Sequence, residues 1–153
     1  MGVWDRALLK LTKFAKERGF KHIDLNYDGE SYITWVLNTI NEPYEIGIEK
    51  WCTNEVKVYF FLHELGHHII RTNLEYYQER YPLMVKAELS EGRAKGSLLR
   101  RNAYKVAEIG EEFEAWDEAR LLATRLKIRI NEKNFETLRV KSLMTYIRFY
   151  GKH

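Results

Sequence analysis

The chain has 153 residues, 45% of them hydrophobic and 31% charged, with a formal net charge of +3 and a single cysteine, Cys52. These figures fit one domain with a core of its own, and they exclude a disordered chain, an internal disulfide framework and a multi-cysteine zinc knuckle. The charge is too small to argue for nucleic acid, and residues 1–10 hold no apolar run that could serve as a signal peptide or membrane span, so a cytoplasmic location is expected.

Trp4, Leu8, Leu11, Phe14 and Ala15 recur at helical spacing and Gly19 follows them, which predicts a helix from Trp4 to Arg18. Ile23, Leu25 and Tyr27 alternate with polar residues, as in a half-buried strand. Asp28-Gly29 is a two-residue hairpin signal, and Tyr32 to Leu37 reads as the return strand. Asn41-Glu42-Pro43 is a turn, and Tyr44, Ile46 and Ile48 alternate in a third strand. Val56 to Ile70 is an almost unbroken apolar run and reads as a buried helix.

Pro82 opens a short helix reaching Leu89, and Gly92 and Gly96 mark a loop. Helices are predicted from Leu98 to Ile109, then, after Gly110, from Glu111 to Lys127, with acids in the first turn and bases in the last. An amphipathic helix from Phe135 to Tyr150 closes the series. The expected fold class is α+β in a single domain, residues 1–153: an N-terminal helix, a small three-stranded antiparallel sheet, then several helices.

The chemistry lies in His63-Glu64-Leu65-Gly66-His67. Histidines four apart on a helix share a face and can bind one zinc ion. Glu64, directly after the first histidine, is placed as general base toward a zinc-activated water, whose pKa falls to about 7. Gly66 leaves room for a neighbour to pack close. Phe60, Phe61, Leu62, Ile69 and Ile70 surround the motif, and polar groups set among them need partners, which a metal would supply. His68 points well away from the His63–His67 face and reads as packing or as a support behind the ligands.

A catalytic zinc site needs a third protein ligand and one open position. His22 and His153 are poorly placed, which leaves a carboxylate. Glu88, Glu91, Glu108, Glu111, Glu112, Glu114, Asp117 and Glu118 are all available, most of them expected to be solvated acids that complement a helix dipole. Ala115 and Ala119 would let their helix lie close to the histidine helix. Tyr76, Tyr77, Tyr81, Tyr104 and Tyr146 are candidates to stabilise an oxyanion.

Phe61-Leu62-His63-Glu64-Leu65-Gly66-His67-His68 together with Glu112-Phe113-Glu114-Ala115-Trp116-Asp117-Glu118-Ala119 resembles the small gluzincin metallopeptidases, in particular the short ImmA/IrrE-like proteins of bacteria and phages. In those, a glutamate before an alanine on a later helix is the third zinc ligand, and Glu114-Ala115 matches that position. The stretch from His67 to Glu114 is longer than usual for the family, which keeps Glu88 and Glu91 as alternatives. The resemblance implies a zinc metallopeptidase with His63, His67 and Glu114 as ligands, Glu64 as base and a polypeptide substrate. A different class of function is a zinc-containing binding module without turnover, meeting nucleic acid through the basic residues between Lys86 and Lys105.

Overall fold

The helix that carries the motif organises the molecule. In the computed structural model, which describes residues 1–152, this helix, α2, spans Asn54–Thr72. Thr53 caps its start, its hydroxyl accepting a hydrogen bond from the Val56 amide at 3.3 Å. Val58, Phe61, Leu62 and Leu65 are fully buried, so the helix is covered on most of its circumference.

Before it come α1 (Val3–Glu17) and three strands, β1 (His22–Tyr27), β2 (Tyr32–Trp35) and β3 (Pro43–Glu49). After it come α3 (Leu74–Arg80), α4 (Pro82–Glu88), α5 (Gly92–Leu99), α6 (Asn102–Arg125) and α7 (Glu132–Lys152). The α+β class is as expected. None of the described helices is long and apolar enough to cross a membrane. Leu8, Leu11 and Phe14 of α1, Ile46 and Ile48 of β3, and Trp116, Ala119 and Leu122 of α6 close around α2 in one core. Lys57 ties α2 to the sheet, its ammonium donating to the Leu25 carbonyl and to Asn26 Oδ1, both at 2.9 Å.

The sheet differs from expectation. Its order is β1-β3-β2, with β1 parallel and β2 antiparallel to β3, so it is mixed rather than antiparallel. Asp28-Gly29 therefore turns the chain without closing a hairpin, because β3 lies between the two strands it joins. The reason is burial. Ile46, Gly47 and Ile48 are consecutive buried residues, the pattern of a strand covered on both faces, whereas β1 alternates and belongs at an edge. Gly47 is required there: a Cβ would stand 2.1 Å from the Tyr32 ring, which lies across it from the paired strand.

Among the helices, Gly92 and Gly96 fall within a short helix, and Gly110 sits inside the single 24-residue α6. An interior glycine costs about 1 kcal/mol against alanine, which tertiary packing readily offsets. At Gly110 the neighbour is Tyr81, whose ring would be 3.8 Å from a Cβ. One continuous helix carries Glu111 and Glu112 into its middle, where both are buried.

Helices α2 and α6 meet at Gly66. A Cβ there would lie 2.1 Å from the Ala115 carbonyl oxygen and 2.9 Å from its carbon, and backbone cannot swing aside as a flexible side chain can. Gly66→Ala should therefore destabilise the fold by about 2–3 kcal/mol, as overpacking at a rigid contact does. Urea unfolding of the two proteins measures this, and an unchanged midpoint would contradict the contact.

Candidate metal centre

His63 and His67 are one turn apart on the face of α2 turned toward α6, with their rings 4.8 Å apart. The carboxylate that meets them is that of Glu112. His63 Nε2 is 3.0 Å from Glu112 Oε2, and His67 Nε2 is 3.2 Å from Glu112 Oε1. Among the described residues these three form the group that could hold a metal ion, with one ligand atom from each lying within 4.8 Å of the others. All three are buried. Two imidazole nitrogens and a carboxylate make a donor set that a divalent ion fits. His63 Nδ1 has no hydrogen-bond partner; the ring is held through Nε2 by Glu112 and by stacking on Trp116, at 4.3 Å between centroids and 21° between planes.

Glu114 does not join them. Two residues along a helix is a rotation of about 200°, so Glu114 points away from Glu112. Its Oε1 accepts hydrogen bonds from Tyr76 and Tyr81, both at 2.8 Å. Glu91 is an exposed residue at the start of α5. Glu88 pairs with Arg71, and Asp117 is exposed. His22 lies on an exposed stretch of β1 with its ring against Tyr44. His153 lies outside the described residues. The signal for Glu112 was in the sequence: Glu112, Ala115, Trp116 and Ala119 stand at i, i+3, i+4 and i+7, one helix face. The expectation that a helix begins at Glu111, with Glu111 and Glu112 in its first turn, is corrected: both lie in the interior of α6.

The electrostatics follow from this packing. Burial opposes charge on Glu112, but His67 and His63 outweigh it and hold the carboxyl well below the usual range. Burial also opposes charge on His67, where Glu112 and Glu111 outweigh it and raise the imidazole above its ordinary value. Glu64 is buried, and that burial pushes its carboxyl up. Glu108, one turn before Glu112, is pushed up to about 7 by burial and then by Glu112 and Glu111.

A cleft of about 450 Å³ opens onto this group. His63, Glu64 and Glu112 form part of its lining, Val56, Phe60 and Leu138 supply apolar wall, and Lys141 and Tyr146 of α7 stand opposite. Of the five tyrosines considered, Tyr146 is the one in this lining. Burial, then the charge of Glu112 beside it, keeps its hydroxyl protonated well above the ordinary phenol range. Lys86, Arg93, Lys95, Arg100 and Arg101 are exposed along α4, α5 and the start of α6, and none of them lines the cleft.

His68 packs as expected, its ring edge-on to Phe20 at 5.1 Å. Burial, and then the charge of Arg18, lowers its pKa from 6.5 to about 4. The folded state therefore resists protonation that the unfolded chain accepts below pH 6.5. The stability this gives is complete above that pH and is lost as pH falls toward 4. Between pH 7 and 5 His68→Leu should lose about 1–2 kcal/mol less stability than the wild-type chain. Urea titrations of both in EDTA check this, and parallel losses would reject it.

Compared with known protein families, curated proteins and solved structures, the chain matches none.

Proposed function

We propose that the chain is a zinc-dependent hydrolase that cleaves peptide bonds. One observation carries this reading: His63, His67 and Glu112 converge on one point, and two of them, His63 and Glu112, line a cleft together with Glu64. Two neutral nitrogens and one carboxylate suit zinc, and an open cleft beside three protein ligands favours a catalytic site over a closed structural one. Zinc held there would supply Lewis acidity, polarising a carbonyl and making water a good nucleophile near neutral pH.

The chain's own residues do the rest. Glu64 takes the proton of the attacking water and returns it to the departing amine. Its buried carboxyl, with a pKa raised by desolvation, suits both halves of that transfer. Tyr146 keeps its proton and so can donate to the oxygen on which negative charge develops. Val56, Phe60 and Leu138 offer an apolar bed for a side chain of the substrate.

The test is a peptide library exposed to the purified chain, to the chain stripped with EDTA, and to the stripped chain resupplied with zinc. Cleavage is expected in the first and third samples and not in the second. Stoichiometric zinc without cleavage of any pool would replace this reading with that of a binding module.

A further inference from the structure

Arg71 is 4% exposed and lies at the end of α2, one turn beyond His67. Its guanidinium meets Glu88 as a two-pronged fork, Nη1 to Oε2 and Nη2 to Oε1, both at 2.8 Å. Its Nε donates to Glu111 Oε1 at 3.1 Å, and Nη1 also reaches the Ile40 carbonyl at 3.4 Å. The Trp35 and Tyr77 rings lie 3.8 and 4.8 Å from its central carbon. Every edge of the group is thus occupied, and it has little freedom to turn.

Glu111 is 1% exposed. The oxygen that receives Arg71 Nε also faces His67 Nδ1 at 3.1 Å, while its other oxygen accepts the Tyr77 hydroxyl at 3.3 Å. A buried carboxylate needs a cation and donors to remain charged. Arg71 supplies the cation and one donor, and Tyr77 supplies another. A carboxylate fixed against Nδ1 keeps the proton on that nitrogen and leaves Nε2 free to bind a metal. His63 has no such support, since its Nδ1 lacks a partner. The two histidines are therefore held differently: His63 by stacking on Trp116, and His67 through Nδ1 by the carboxylate that Arg71 holds.

We infer that Arg71 is a positioning residue for the metal centre, acting through Glu111 to fix the ring and the proton of His67. The inference rests on reading His63, His67 and Glu112 as metal ligands. It makes the contacts of Arg71 with Trp35, Ile40 and Glu88 part of the metal site's scaffold, joining β2, the loop after it and α4 to α6.

The test measures zinc affinity by chelator competition for the full chain, His63→Ala, Glu111→Gln, Arg71→Met and the double variant Glu111→Gln/Arg71→Met. Glu111→Gln and Arg71→Met should each weaken zinc by about ten- to a hundredfold. The double variant should be no weaker than the worse single one, because both act through one contact. A second readout is the His67 Nδ1 proton in zinc-loaded, 15N-histidine-labelled protein. It should resonate downfield and exchange slowly in the wild type, and move upfield with faster exchange in either variant. A merely structural role would leave that proton in place and give affinity losses that add. Should Arg71→Met not fold, Arg71→Lys, which keeps the charge but not the fork, takes its place in the single and the double variant. Wild-type affinity in Glu111→Gln, with His63→Ala losing zinc, overturns this inference only. Zinc binding indifferent to His63 overturns the metal-site reading and this inference together.

Discussion

Glu112→Ala should lose zinc by more than about a hundredfold in affinity, while Glu114→Ala should stay within about threefold of the wild type. The first residue places both carboxylate oxygens against the two imidazoles, at 3.0 and 3.2 Å. The second spends its contacts on Tyr76 and Tyr81 on another face of α6. Even residues that only support a ligand typically change metal affinity ten- to a hundredfold, so removing a ligand should exceed that. Competition with a chromogenic chelator measures both variants in one titration. The reverse ranking would return the third ligand to Glu114 and require α6 to rotate by about half a turn.

Glu64→Gln should keep zinc at the wild-type level and lose hydrolysis by about a hundred- to ten-thousandfold, the usual worth of a positioned acid–base group. Glutamine keeps the shape of the side chain and removes the proton acceptor. Glu64 is not among the three ligand donors, so the metal should remain. It is also a buried carboxyl whose charged form is penalised by desolvation. The variant should therefore unfold at the same or a higher urea concentration than the wild type. Reduced metal content would make Glu64 a ligand, and unchanged turnover on a cleaved peptide would remove it from the mechanism.

Much of this was legible in the residues. The apolar run around His63 and His67 announced a buried helix, and the spacing of the two histidines placed them on one face whatever packed against it. The α+β outline followed from the switch in period after Ile48. The strand order did not, because pairing is decided between segments distant in sequence. The pairing of β3 with both β1 and β2 makes it central, and the consecutive burial of Ile46, Gly47 and Ile48 agrees with that place. Glu112 stood among the candidate carboxylates, and the preference for Glu114 over it has a specific cause. Taking Gly110 as a break turned Glu111 and Glu112 into solvated first-turn acids, although the stripe through Ala115, Trp116 and Ala119 runs straight back to Glu112. Arg71 and Glu111 stand 40 positions apart, and no local pattern links them.

The contact between Gly66 and Ala115 couples two distant positions of the chain. A larger residue at Gly66 would press on the Ala115 backbone, push α2 and α6 apart and lengthen the span from Glu112 to the two imidazoles. Any relative that keeps this helix crossing must therefore keep a glycine at the place of Gly66. Its signature is a composite one: a glycine between the glutamate and second histidine of the motif, paired with a glutamate far downstream, three residues before the backbone carbonyl that the glycine meets. A search for kin built on that linked pattern tests both halves at once, and a chain carrying the two histidines with a bulky residue in place of Gly66 would have to build its third ligand from a helix that crosses elsewhere.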